Sequence, residues 1–264
     1  MVKWDPVDYN KSSSAQLKWA MELINGLKLY GNERILDIGC GDGKVTSEIA
    51  HQMPNGSVLG IDQSNEMISF ARDTYLPNEI QNLDFRVMDA RNLVFNEEFD
   101  LIVSFACLHW ITDHQPVVDG IKRSLKPNGR VLIQCGGKGN AADIIKVINE
   151  LITQSEWNQY FINFIFPYGF YGPDEYIIML KDAGLLPLRV ELISKDMTQI
   201  GRDGLMSWIR TTWMPYLECI PNTKRNNFIE EITDRYLTEH PLDEAGIAHL
   251  TMKRLEIEAI NNCI

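Results

Sequence analysis

The 264-residue chain is predicted to be an α/β protein, doubly wound around a mainly parallel sheet, with a helical cap inserted after the fifth strand. Three observations predict this. Short β-branched, apolar runs alternate with helical stretches through the first half of the chain. A glycine-rich turn follows the first of those runs, and acidic residues stand at the ends of the first three. Past residue 136 the rhythm breaks, and helix formers and aromatics replace the strand runs.

The strand runs of the first half are Arg34–Ile38, Ser57–Ile61, Asp84–Met88, Phe99–Ser104 and Arg130–Gln134. Between them the spacing predicts helices over Lys44–Gln52, Asn65–Thr74 and Pro116–Leu125, the last ended by the turn Lys126–Pro127–Asn128–Gly129. After Gly136–Gly137–Lys138–Gly139, helices are expected over Ala141–Leu151 and Pro173–Ala183, followed by a strand over Pro187–Ser194. Gly204–Tyr216 and Lys224–His240 have the apolar spacing of amphipathic helices, and Ile247–Ile260 returns as a last strand. The expected organisation is an N-terminal helical segment over 1–30 covering the binding site, a binding core over 31–140, and a helical cap with the last strands over 141–264.

A formal charge of −11 repels phosphate backbones and argues against a nucleic-acid partner. The five cysteines are odd in number and scattered, with no CxxC pair, so neither a disulfide framework nor a metal site is expected. No signal peptide and no long apolar run is legible, so the chain is expected to be cytoplasmic, without a membrane partner, as a monomer or homodimer.

The first strand runs into Gly39–Cys40–Gly41–Asp42–Gly43, where glycine at every second position lets the backbone turn sharply and approach a ligand closely. The spacing is not that of a dinucleotide site. Asp37 just before the loop disfavours a phosphate and favours a neutral or cationic ligand. Asp62 ends the second strand where an α/β nucleoside site places a carboxylate for ribose hydroxyls, and Asp89 follows the third, where it can receive an adenine amine. With Ser104, these residues fall at the carboxyl ends of the strands, where open parallel sheets bind ligands.

Residues 35–43 (ILDIGCGDG), 60–67 (GIDQSNEM) and 100–110 (DLIVSFACLHW) resemble class I S-adenosylmethionine-dependent methyltransferases. The resemblance implies the Rossmann-like methyltransferase fold, with seven strands and the last antiparallel. It also implies S-adenosyl-L-methionine as cofactor, with Gly39 and Gly41 beside its methionine part, Asp62 on its ribose, and Asp89 and Ala90 at its adenine. Cys40, Gln63, Met67 and Phe105 join Asp37 and Ser104 as expected cofactor contacts. A narrower likeness, carried by Trp4–Asp5–Pro6 with Tyr9, Leu108–His109–Trp110, Asp113–His114, Trp208–Pro221, Tyr236 and Pro241, is to trans-aconitate methyltransferases. It extends more loosely to insect juvenile hormone acid methyltransferases. Both families esterify carboxylic acids.

The expected function is therefore methyl transfer to a small molecule, with O-methylation of a carboxylic acid as the leading case. A carboxylate is already ionised at neutral pH and needs no base, so no catalytic residue is assigned. His109 stands as a base or an orienting group. Expected acceptor contacts are Tyr9, His109, Trp110, Tyr168, Tyr171, Trp208, Arg210 and Trp213, with Tyr216 as a further lid residue. Two alternatives stay open: a phenol, amine or ring carbon as acceptor, and a module that binds the cofactor without chemistry.

Overall fold

Strands buried on both faces need apolar side chains at nearly every position, and the central strands have them. In the computed structural model of the chain, residues 14–76 and 81–262 are described, so Tyr9 and Trp4–Pro6 lie outside the described residues. The order is α1 (Ser14–Gly26), β1 (Arg34–Ile38), α2 (Lys44–His51), β2 (Ser57–Asp62), α3 (Asn65–Tyr75), β3 (Leu83–Val87) and β4 (Phe99–Phe105). There follow α4 (Gln115–Ser124), β5 (Leu125–Gly136), α5 (Ala142–Ile152), α6 (Pro173–Asp182), β6 (Leu186–Ile200), α7 (Gly201–Thr212), α8 (Met214–Glu218), α9 (Asn222–Glu239) and β7 (Ile247–Ile260). The sheet has seven strands in the order β3-β2-β1-β4-β5-β7-β6, parallel from β3 to β5, with β7 antiparallel to β5.

Residues 14–138, 168–193 and 254–262 form one unit around this sheet. Alternation along the strands divides its apolar side chains between two layers. Leu36, Ile38, Ile102 and Ile133 face α4 and α6, packing with Val118, Ile121 and Leu180. Ile35, Leu101, Val103 and Leu132 point the other way, onto Ala20 and Ile24 of α1, Ile49 of α2 and Ile68 of α3. Helix α3 is capped by Ser64, whose hydroxyl accepts from the Met67 N–H at 3.2 Å.

The second unit, residues 139–167 and 194–253, has an aromatic core of its own. Trp157 packs on Phe228 with ring centroids 4.8 Å apart, Phe164 on Tyr216 at 4.5 Å, and Trp213 on Trp208 at 6.0 Å. The Trp157 indole N–H donates to Glu231 Oε2 at 2.6 Å.

Several expected boundaries move. The fifth strand starts at Leu125 rather than Arg130, because Leu125 already pairs with Phe99 of β4 and the polar 126–129 segment is taken up as a shift in register before Arg130 pairs with Leu101. The helix expected over 204–216 starts at Gly201 and breaks at Trp213, since Pro215 has no N–H to carry the ladder onward and instead opens α8. The sixth strand runs to Ile200, beyond the expected Ser194, through residues too polar to announce a strand. Among the described residues no helix is long and apolar enough to cross a membrane.

Candidate functional site

The turn from β1 to α2 is built by glycines in the left-handed region. Gly39 has φ 75°, and a Cβ there would overlap the Cys107 Sγ, so no other residue fits without displacing that thiol. The N–H groups of Gly39 and Cys40 both donate to the Ile61 carbonyl, at 2.7 and 3.0 Å, which folds the loop onto the end of β2. The Gly41 N–H donates to Asp62 Oδ2 at 3.1 Å. Ser104 ties β4 to β1 by donating to the Ile38 carbonyl at 2.8 Å.

A pocket with about 420 Å³ of open space lies at this edge, lined by Asp37, Gly39, Cys40, Gly41, Phe105 and Ala106. Gln16 and Leu17 of α1 line it too, together with Lys44 and Val45 of α2. The sequence reading missed Gln16. Its Oε1 is buried with no partner among the described residues, yet a single glutamine on a helix gives no signal in a sequence.

The carboxylates differ in their surroundings. Asp37 is buried and accepts from the Thr46 hydroxyl at 2.7 Å. Burial pushes it up to about 7, against the Thr46 bond and with help from the nearby Asp62 charge. Asp62 is also raised by burial, while backbone N–H groups of Ser64, Gly41 and Gln63 pull it back. Its Oδ1 accepts from Ser64 (2.8 Å) and its Oδ2 from Gly41 (3.1 Å), and with Gln63 as a third backbone donor the carboxylate still keeps acceptor capacity for a ligand. Asp89 instead forms a fork with Arg91, 2.6 Å at the shortest, which holds it below the usual carboxylate range. Ala90 and Met67 are buried near these strand ends, and Gln63 is exposed.

Beyond Ala106 a single helical turn, Leu108–Trp110, carries the acceptor-side candidates. His109 Nδ1 accepts from the Gly136 N–H at 3.3 Å. Burial, then the positive Arg254 and then His114, hold the ring well below the usual histidine value. The segment 168–171 clasps this turn. The Gly169 N–H donates to the His109 carbonyl at 3.0 Å, the Tyr171 hydroxyl donates to the Thr112 carbonyl at 2.8 Å, and the Tyr168 ring lies 5.1 Å from Trp110. From below, buried His114 points Nε2 at the carbonyls of Leu108 (2.7 Å) and Ile111 (3.0 Å). That fixes Nε2 as the protonated nitrogen.

The structure thus brings His109, Trp110, Tyr168 and Tyr171 together. Trp208 and Trp213 are buried in the aromatic core of the second unit, and Arg210 is exposed on α7. Tyr171 spends both its hydroxyl and, at 4.6 Å from His114, its ring on the clasp.

Residues 29–164 match the methyltransferase domain family. Among curated relatives, an uncharacterized methyltransferase of Schizosaccharomyces pombe is 31% identical over 225 residues, covering 84% of each chain. The trans-aconitate 2-methyltransferase of Deinococcus radiodurans is 26% identical, covering 91% of this chain and 92% of the relative. Among solved structures, the YcgJ protein of Bacillus subtilis superposes with TM-score 0.60 at 17% identity, covering 95% of this chain and 99% of the other. A Haemonchus contortus phosphoethanolamine N-methyltransferase bound to S-adenosylhomocysteine gives TM-score 0.60 at 19% identity, covering 98% of this chain and 57% of that one. Those two structures carry the same fold.

Proposed function

The chain belongs to the methyltransferase domain family and is an S-adenosylmethionine-dependent enzyme, and from that premise we propose that its acceptor is a small carboxylic acid, methylated on oxygen. The observation that carries this is the state of His109. Its Nδ1 lone pair is engaged by Gly136, and burial beside Arg254 keeps the ring neutral. A ring so held does not take a proton from a hydroxyl or an ammonium, whereas a carboxylate has no proton to give up at neutral pH. The similarity to trans-aconitate methyltransferases supports the same class of acceptor.

The residues at the strand ends fit the cofactor. Gly39 and Gly41 leave no side chain between the backbone and a ligand, and Asp62 keeps acceptor capacity for a ribose hydroxyl. Buried Asp37 and partly buried Asp62, both raised mainly by burial, suit a ligand that brings positive charge. When bound, S-adenosylmethionine supplies a methyl group on a sulfonium, open to in-line displacement by an oxygen lone pair, with the electrons of the broken C–S bond staying on sulfur. The protein's part is orientation. The clasp over Leu108–Trp110 holds the acceptor-side residues in one geometry, and positioning alone supplies much of the rate in such a transfer.

The test is transfer of radiolabelled methyl groups across a panel of small carboxylic acids, phenols and amines. Base-labile label, released as methanol from one of the acids, is the expected outcome. Label that survives base on a phenol or amine overturns the assignment.

A further inference from the structure

We propose that Gln16 reads the amino-acid end of the cofactor: its side-chain amide oxygen accepts a hydrogen bond from the α-ammonium group of S-adenosylmethionine. The inference rests on the cofactor reading above, not on the choice of acceptor, and it assigns a contact outside the glycine loop and the strand-end carboxylates.

The first ground is an acceptor left over on an apolar face. Gln16 stands one and two turns before Ala20 and Ile24 of α1, which are buried against the sheet layer of Ile35 and Leu101. Helical spacing therefore turns Gln16 toward the sheet, and the residue is half-buried. Its Oε1 is buried with no hydrogen-bond partner among the described residues. A buried carbonyl oxygen without a donor is rare and costs stability, so at the wall of a pocket it is an acceptor that a ligand satisfies.

The second ground is where that pocket lies. Gln16 shares it with Asp37 and Gly39, at the end of β1, and with Phe105 and Ala106, at the end of β4. Asp89, expected at the adenine, follows β3, and β2 stands between β3 and β1 in the sheet. The pocket thus lies at the end of the crevice away from the base, where the methionine part of the cofactor belongs.

The third ground is the chemistry of the lining. An ammonium brings N–H donors and no acceptor, whereas a sulfonium has no N–H, so only the ammonium can satisfy an amide oxygen at this end. Among the described residues Asp37 has one donor, the Thr46 hydroxyl on Oδ2 at 2.7 Å, and can take another. Asp37 supplies the charge, and Gln16 adds a neutral acceptor from α1 without burying a second anion. Lys44, also in the lining, has its Nζ 3.9 Å from Asp42 Oδ2, where the opposite charge offsets its own.

The test is calorimetric and needs no acceptor. S-adenosylhomocysteine is compared with its des-amino analogue, in which hydrogen replaces the ammonium and the carboxylate stays. Gln16→Leu keeps the bulk and removes the acceptor. Its Kd for S-adenosylhomocysteine is expected to rise by about 10- to 100-fold, the worth of a hydrogen bond to a charged group, while its Kd for the analogue changes by less than about twofold. Gln16→Glu keeps an acceptor oxygen and has no N–H. Its preference for S-adenosylhomocysteine over the analogue is expected to stay at or above that of the wild type, since any repulsion of the ligand carboxylate is common to both.

Equal weakening of both ligands in Gln16→Leu shows a wall residue that packs without reading the ammonium, and overturns the proposal. Unchanged affinity for both overturns it as well, and a rise in the acceptor KM alone then gives the amide to the acceptor. Should Gln16→Leu fail to fold, Gln16→Glu decides: a lost preference means that the amide N–H was the group in use, and the proposal falls. A wild type that binds neither ligand overturns the cofactor reading and this inference with it.

Discussion

The Gly169 N–H donates to the carbonyl of His109 at 3.0 Å, joining residues 60 positions apart in the sequence. One strand of chain that returns from the second unit thereby fixes the turn after β4. The position admits only glycine: a Cβ on residue 169 would land on the Ile111 carbonyl oxygen and crowd His114 Nε2.

Gly169→Ala is therefore expected to push the clasp off the Leu108–Trp110 turn. Displacing a positioning element by about 1 Å costs on the order of 100-fold in a reaction that depends on alignment. Cofactor affinity should hold, because Asp62 and the glycine loop are built on other strands. Steady-state kinetics for the acceptor beside calorimetric titration of the cofactor separates the two. Equal loss in both would mean that the substitution had disturbed the sheet itself.

Asp62→Ala removes both the expected ribose acceptor and the partner of the Gly41 and Ser64 N–H groups. Charge-assisted bonds of this kind are worth about 1.5–3 kcal/mol, so cofactor Kd should rise by about 10- to 150-fold. Calorimetry reads this directly. Unchanged affinity would take the ribose site away from Asp62.

His114→Leu leaves the Leu108 and Ile111 carbonyls without their donor in a fully buried place. An unsatisfied buried group costs about 1–3 kcal/mol, and in a chain of this size, at about 2–4 °C per kcal/mol, that lowers Tm by about 2–12 °C. The ring is held below its usual value mainly by burial, so its stabilising contribution is present above the unfolded pKa and lost as pH falls through the folded one. Thermal melts at about pH 5 and pH 7.5 should show the wild type losing more stability on acidification than His114→Leu does.

These residues also mark where the sequence stops being legible. Asp37, the glycine loop and Asp62 could be read because each sits within a few residues of a strand end, and local spacing alone puts them at one edge. The clasp could not. Tyr171 is an expected acceptor contact, and its hydroxyl bond to the Thr112 carbonyl is one that only the return of the chain after the second unit creates. Arg254 was passed over for the same reason. Inside an alternating strand it looks like a surface arginine, and only the antiparallel register opposite Gly136 brings it near His109. The break at Trp213, by contrast, has a local signal in Pro215, although the apolar spacing runs on to Tyr216.

Asp37 is expected to make cofactor binding pH-dependent. In the free protein its pKa is about 7 against a usual 3.8, mainly because burial penalises the charged form. A group raised by folding adds stability below its unfolded pKa and loses that contribution as pH rises through the folded one. The free protein is thus stabilised by protonated Asp37 in acid, and holds an uncompensated buried charge above neutrality. S-adenosylmethionine brings a sulfonium and an ammonium, and positive charge beside a carboxylate lowers its pKa. Between about pH 5.5 and pH 7 binding must therefore expel the Asp37 proton, so affinity should climb by up to about tenfold per pH unit and level off above about 7. Calorimetry in two buffers of different ionisation enthalpy counts the proton released, and Asp37→Asn should flatten the profile. A flat profile in the wild type would mean that the positive groups of the ligand do not lie against Asp37, and the polarity assigned to this end of the pocket would have to be reversed.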